Sequence, residues 1–169
     1  MSETDRTVVL IASACAILAL GWGSVQSTDW LAYNPTTSAP KGWYVVEHPE
    51  VLHVDDYVLA RLPADAALLA DNRRYLPKSV PILKRIGAVG YQIVCAVGKQ
   101  IYIDDEVVGE QLTRDGAGRE LNGWSDCRAL KSDELFLLSL TNPASFDSRY
   151  FGPVQRINVI GKVRPLWTW

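Results

Sequence analysis

Residues 80–109 read VPILKRIGAVGYQIVCAVGKQIYIDDEVVG, and this stretch decides the fold class. Its apolar runs are short, rich in β-branched and aromatic residues, and separated by glycine or aspartate. Runs of this kind, bounded by turn residues, are typical of strands. The runs are Val80–Ile86, Tyr91–Val97, Ile101–Asp104 and Val107–Gly109. The last two flank Asp105–Glu106, and this arrangement predicts a hairpin.

The sequence on either side continues the pattern. Further strands are predicted over Gly42–Val46, Tyr57–Leu62, Glu134–Leu140 and Arg156–Leu166. One helix is predicted over Ala64–Tyr75, ended by Pro77. The segments Gln26–Pro40 and Glu110–Leu130 are polar and turn-rich, which predicts a loop and an irregular excursion. The fold class is therefore mainly β.

The N-terminal region carries a long uncharged run, TVVLIASACAILALGWGSV, over Thr7–Val25. As a helix it is long enough to cross a hydrocarbon core of about 30 Å. A cleavable secretory signal would have a shorter apolar region after a basic start, and Met1–Arg6 contains two acids and one arginine. A buried core helix is the third interpretation. We predict a cytoplasmic segment over 1–6, one transmembrane anchor over 7–25 and a folded domain over 26–169.

Composition excludes several classes of protein. The chain has 169 residues, 48% of them hydrophobic and 21% charged, so it is not a disordered protein. The net charge of −2 gives no indication of a nucleic-acid partner. The three cysteines and two histidines are too scattered for a zinc site, and we expect no metal and no cofactor. They are Cys15, His48, His53, Cys95 and Cys127.

No histidine lies where a Ser-His-Asp triad is evident, which leaves serine–lysine chemistry as the alternative. A lysine acts as a general base only when desolvation lowers its pKa. Lys84 has the apolar neighbours Leu83 and Ile86, so it is the candidate base. The alternative interpretation is a solvated strand lysine beside Arg85.

Two loops supply further candidates. Ser38 lies before Pro40 and Gly42 in a tight turn that leads into a strand, where its hydroxyl and backbone N–H are presented together. An ordinary turn serine is the alternative. Asp147 and Arg149 lie in a loop with two aromatic residues, which indicates either a partly buried, hydrogen-bonded corner or a surface loop.

These segments resemble the conserved motifs of the signal peptidase I family, and most closely its TraF-type conjugative-transfer branch. General signal peptidases have Gly-Asp at the second motif, Gly-Asp again after the lysine motif, and Gly-Asp-Asn at the start of the last motif. This chain differs at all three places, where it has Asp55-Asp56, Gly90-Tyr91 and Leu140-Thr141-Asn142. The matching motifs, in order behind one anchor, are Asn34-x-Thr36-x-Ser38-x-Pro40-x-Gly42-x-Tyr44, Asp56-Tyr57-Val58, Lys84-Arg85-Ile86 and Ser145-Phe-Asp-Ser-Arg-Tyr-Phe-Gly-Pro153.

The resemblance implies a signal-peptidase-like β domain and a role for each matching residue. It implies Ser38 as nucleophile, Lys84 as general base, the Thr36 hydroxyl and the Ser38 N–H as oxyanion hole, Ser145 as the partner of the Lys84 ammonium group, and Asp147 and Arg149 as supporting residues.

The resemblance also implies a function. We expect a single-pass serine endopeptidase of the bacterial inner membrane, with its catalytic domain over 26–169 in the periplasm. Its substrate would be a membrane-embedded preprotein, specifically a conjugative pilin precursor whose leader it removes, with head-to-tail cyclisation as a further step. Other conjugation proteins of a type IV secretion system are expected partners. In that compartment Cys95 and Cys127 are candidates for a disulfide, and two buried free thiols are the alternative.

Three other functions compete with this one. A general signal peptidase I would process unrelated secretory preproteins. A non-catalytic, membrane-anchored pilus assembly factor would not need Ser38. A self-cleaving repressor uses similar chemistry, but the predicted anchor and the lack of a DNA-binding helix pair oppose it.

Overall fold

The computed structural model describes residues 31–48 and 51–169, and antiparallel strands dominate both ranges, as predicted. The strands are β1 Leu31–Asn34, β2 Gly42–Glu47, β3 Tyr57–Ala60, β4 Ile82–Ala88, β5 Ile93–Val97, β6 Gln100–Ile103, β7 Glu106–Glu110, β8 Cys127–Ala129, β9 Glu134–Leu138, β10 Val154–Gln155 and β11 Val159–Thr168. The helices are α1 Ala64–Asn72, the single turn α2 Ser148–Phe151 and a 3₁₀ turn at Arg156–Asn158.

The predicted transmembrane anchor over 7–25 lies outside the described residues. Within the described ranges, no helix has the length and apolar character needed to cross a bilayer.

The strands form two sheets. The larger sheet has the order β1-β2-β11-β3-β4-β9-β10, and the smaller has the order β7-β6-β5-β8. Every paired strand is antiparallel to its neighbour. Strand β11, the last in the chain, pairs with β2 on one side and β3 on the other, so the C-terminal segment joins two N-terminal strands.

Strand β9 is buried at all five of its positions, which explains its unbroken apolar sequence. Leu135 and Leu137 pack into one hydrophobic cluster with residues of β3 and β4. Phe136 and Leu138 point to the opposite face and pack into a second cluster with residues of β5 and β6. Because side chains alternate along a strand, β9 joins the core of the larger sheet to that of the smaller one.

Four local predictions were wrong in detail. The hairpin turn lies at Asp104-Asp105, where both residues have positive φ (47° and 69°), so Glu106 already belongs to β7. Positive φ at both central residues is the type I′ conformation, which matches the twist of a hairpin. Strand β1 lies in the segment predicted as a loop, and β8 lies in the predicted excursion. Helix α1 ends at Asn72, before a left-handed residue at Arg74 (φ 58°).

The two cysteines outside the predicted anchor face each other. Cys95 on β5 is in register with Cys127 on β8, and a disulfide joins them. The bond therefore ties β8, near the end of the predicted excursion, to β5 of the smaller sheet.

Gly42 is a position where the larger sheet leaves no room for a side chain. It has φ of 144°, and an added Cβ would lie 2.1 Å from the backbone oxygen of Trp167. We expect Gly42→Ala to lower the free energy of unfolding by about 3 kcal/mol, through backbone strain and the clash with β11. Denaturant titration followed by tryptophan fluorescence measures this loss.

Gly116→Ala is the matched control, because a Cβ there meets nothing within 4 Å. It should change the stability by less than about 0.5 kcal/mol. Equal stability of the two variants would contradict the close approach of β11 to Gly42.

Candidate active site

The turn between β1 and β2 carries Ser38, and Asn34 organises that turn. The Asn34 side chain is buried at the end of β1. Its Oδ1 accepts the backbone N–H of Thr36 at 3.1 Å, and its Nδ2 donates to the carbonyls of Ala39 and Pro40, each at 3.1 Å. One side chain thus satisfies backbone groups on both arms of the turn and sets its shape.

The Ser38 hydroxyl lies against Thr36. The two side-chain oxygens are 2.8 Å apart, and Thr36 Oγ1 also donates to Asn34 Oδ1 at 2.8 Å. Because a hydroxyl has one proton, the Thr36 proton is directed at Asn34, and the Ser38 hydroxyl is the donor in the Thr36–Ser38 pair. Ser38 is 9% exposed, so its oxygen lies at the floor of a surface depression.

Strand β9 and the loop after it hold the turn from the other side. Ser139 Oγ donates to the carbonyl of Ser38 at 2.9 Å. Asn142 Nδ2 donates to Thr37 Oγ1 at 2.9 Å. The backbone of the turn is therefore bonded to a segment about a hundred residues away in the sequence, which limits its freedom to move.

Lys84 lies on β4 and is 5% exposed. Its Nζ donates a short hydrogen bond to Ser145 Oγ. Burial lowers the pKa of Lys84 to about 8, with Asp147 acting to raise this pKa and Arg149 acting to lower it. A lysine of this kind is partly neutral near physiological pH, unlike a solvated lysine.

A buried ion pair supports Ser145. Asp147 and Arg149 are almost fully inaccessible, and two hydrogen bonds of 2.8 Å join the carboxylate to the guanidinium. Arg149 also donates to the carbonyls of Pro143 at 3.0 Å, Ser145 at 3.2 Å and Glu110 at 3.0 Å. The guanidinium therefore holds the backbone of the loop that carries Ser145 through these hydrogen bonds.

Ser38 and Lys84 line one groove with a volume of about 630 Å³. No direct hydrogen bond joins the two side chains within the described ranges, since Ser38 bonds to Thr36 and Lys84 to Ser145. The structure thus brings together three predicted pairs: Thr36 with Ser38, Lys84 with Ser145, and Asp147 with Arg149.

Three further residues of the site received no predicted role: Asn34, Ser139 and Asn142. The role of Asn34 could have been predicted from the sequence, because an asparagine before proline often hydrogen-bonds the backbone of a turn. The roles of Ser139 and Asn142 could not, since their partners are remote in the sequence. The Asp56 carboxylate of the second motif pairs with Lys162 at 2.6 Å and does not line the groove.

Among residues 31–48 and 51–169, no group of three or more histidine, cysteine, aspartate or glutamate side chains is arranged to hold a metal ion. What the groove does offer is a serine hydroxyl and a lysine with a lowered pKa.

Comparison with known proteins identifies the family. Residues 4–169 match the family described as signal peptidase, peptidase S26. The chain is 31% identical over 139 residues to the plasmid transfer protein TraF of Escherichia coli, a match that spans 79% of this chain and 75% of that protein. It is 32% identical over 146 residues to a probable conjugal transfer protein TraF of Sinorhizobium fredii, which spans 80% and 76%.

A solved structure, the crystal structure of a signal peptidase I from Enterococcus faecalis, aligns with 69% of this chain and 97% of its own, at 16% identity and a TM-score of 0.40. The family match rests on the sequence, because it spans nearly the whole chain and two relatives exceed 30% identity. The chain therefore belongs to the signal peptidase family, peptidase S26, as a TraF-type member.

Proposed function

We propose that this protein is a serine endopeptidase with Ser38 as nucleophile and Lys84 as general base. Its proposed substrate is a conjugative pilin precursor, from which it removes the leader. The observation that carries the proposal is the buried Lys84, whose pKa is lowered to about 8 and whose Nζ is held by Ser145 in the groove that Ser38 lines. The TraF relatives support conjugation as the context.

In the proposed acylation step, Ser38 Oγ attacks the scissile carbonyl carbon and its proton passes to the neutral Lys84 Nζ. The Ser38 hydroxyl must first rotate away from Thr36 Oγ1, to which it donates a hydrogen bond in the free protein. The carbonyl oxygen becomes an oxyanion, stabilised by the Ser38 N–H and the Thr36 hydroxyl. Lys84 then protonates the departing amine, the C–N bond breaks, and an ester to Ser38 remains.

In the second step, Lys84 is again neutral and takes a proton from the incoming nucleophile. Attack by water would release the leader from Ser38. Because that ester carries only the leader, a cyclic pilin needs a second ester, formed when Ser38 cleaves near the pilin's C-terminus and the residues beyond the cut leave as an amine. Attack by the pilin's N-terminal amine on this second ester would release a cyclic chain and free the Ser38 hydroxyl. Because the Thr36 proton is directed at Asn34, the oxyanion hole is complete only when that hydroxyl also turns. We propose cyclisation as a further activity of the same serine, through that second ester.

A membrane location follows from the predicted anchor. Ser38 lies within about 40 Å of the end of the predicted span at Val25, since an extended chain rises roughly 3.3 Å per residue. A substrate anchored in the inner membrane is therefore within reach of a domain on its periplasmic face. General processing of secretory preproteins and a non-catalytic role in pilus assembly are the competing functions.

Ser38→Ala should abolish shortening of the candidate pilin precursor, because the variant lacks the hydroxyl that forms the ester. We would measure the intact mass of the pilin after co-expression with the wild-type chain and with the variant. Cyclisation would leave the product lighter than the linear chain by the mass of one water.

Ser132→Ala, at an exposed turn serine, is the control and should process the pilin normally. Equal processing by wild type and Ser38→Ala would exclude Ser38 as the nucleophile and favour the assembly-factor alternative. Cleavage of an unrelated secretory preprotein at a similar rate would favour a general signal peptidase.

Activity should rise with pH through about 8, because only neutral Lys84 accepts the serine proton and its pKa is lowered to about 8. Lys84→Arg should lower turnover by more than about 100-fold, since a guanidinium stays protonated. The pH dependence of single-turnover cleavage measures both effects. A flat profile, or an active Lys84→Arg variant, would rule out a lysine base.

Asp147→Asn tests whether the ion pair positions and tunes the base. Asp147 acts to raise the pKa of Lys84, so its neutral isostere should move the midpoint of the pH profile below that of wild type. Asp133→Asn, at an exposed turn, is the control and should leave the midpoint in place. A purely structural Asp147 would lower stability without moving the midpoint.

A further inference from the structure

One end of the groove is strongly basic. Four arginines line it, two that follow α1 and two from the excursion between β7 and β8: Arg73, Arg74, Arg114 and Arg119. The whole chain has a net charge of −2, so this positive charge is local and is not a property of the surface in general. A cleft lined by charge of one sign attracts ligands of the opposite sign.

Asp115 is the acidic residue at this end of the groove, and its carboxylate is already occupied. Its Oδ2 accepts the Tyr75 hydroxyl at 2.5 Å and Arg119 Nε at 2.8 Å, and lies 3.6 Å from Arg73 Nη1. The Tyr75 bond, with others from Arg119 and Ala117, holds the pKa of Asp115 well below its usual range. One charge on Asp115 is thus shared between two arginines.

The other two arginines have no acidic partner. Arg114 Nη1 donates to the carbonyl of Gly118 at 2.7 Å. Within residues 31–48 and 51–169, no carboxylate lies within 4.0 Å of the guanidinium of Arg74 or of Arg114. Both residues are exposed, and both line the groove. They therefore present unneutralised donors to anything that occupies it.

The basic end is connected to the candidate dyad through a contact between two aromatic rings. The Tyr75 ring packs 5.4 Å from the Phe146 ring, and Phe146 directly follows Ser145, the partner of Lys84. The same groove is also lined by apolar side chains such as Leu62, Leu76 and Ile82. A chain lying in the groove would contact both apolar surface and guanidinium groups.

We propose that this basic end binds a carboxylate of the substrate polypeptide while the scissile bond lies at Ser38. The carboxylate is an aspartate or glutamate side chain or the free C-terminus of the polypeptide. Guanidinium groups bind carboxylates through paired hydrogen bonds, and two unpaired arginines beside an apolar wall favour such a ligand over a neutral one. This inference rests on the proposed peptidase function, and it makes Arg74 and Arg114 specificity-determining residues.

Binding to the full chain with Ser38→Ala tests the proposal without turnover. The probes are three fluorescein-labelled alanine-rich peptides. One is amide-capped with a single internal glutamate, the second has glutamine in its place, and the third is the glutamine peptide with a free C-terminal carboxylate. Fluorescence anisotropy measures each dissociation constant.

A carboxylate peptide should bind about fivefold more tightly than the amide-capped glutamine peptide, the gain expected of a partly exposed ion pair. The preference should shrink at high salt, because salt screens exposed charges. Preference for the internal glutamate identifies a side chain as the ligand, and preference for the third peptide identifies the C-terminus. Equal binding of all three peptides, or no binding of any, would overturn the proposal.

The double variant R74Q/R114Q, in the Ser38→Ala background, should lose the preference. K99Q/K131Q removes two charges from exposed positions outside the groove and should keep it. A preference that survives R74Q/R114Q would also overturn the proposal. Failure of the peptidase function would show separately, as unprocessed pilin with the wild-type chain, because these binding measurements need no cleavage.

Discussion

The buried ion pair between Asp147 and Arg149 is the interaction on which the site depends. Removing one partner would leave an uncompensated charge in the interior, at a cost of about 3–5 kcal/mol. The same guanidinium bonds the backbone of the loop that carries Ser145, and Ser145 holds Lys84. Fold stability and the placement of the candidate base therefore rest on one pair of charges.

The pair also sets the electrostatic balance at Lys84. Burial lowers its pKa, the Asp147 carboxylate opposes that shift and the Arg149 guanidinium adds to it. Because the two charges neutralise each other, desolvation remains the dominant effect. With this pKa, most Lys84 side chains are charged at neutral pH and a smaller fraction is neutral and able to accept a proton.

Strand β9 explains how a small domain brings these parts together. It is a strand of the larger sheet, paired with β4, which carries Lys84, and its two faces pack into two separate clusters. The segment after it supplies Ser139 and Asn142 to the Ser38 turn, and then the loop with Ser145 and the ion pair. The turn that carries Ser38 and the strand that carries Lys84 are thus both fixed to one chain segment.

The sequence alone determined the mainly β class and most strand positions, because alternation and turn residues are local signals. Its resemblance to a known family supplied the motifs with Ser38, Lys84 and Ser145. The sequence placed the hairpin turn one residue late and did not reveal β1, since a short edge strand has little pattern of its own. Burial of Lys84, the roles of Asn34 and Ser139, and the basic end of the groove were decided only by tertiary structure. These features depend on contacts between segments far apart in the chain, which no local pattern records.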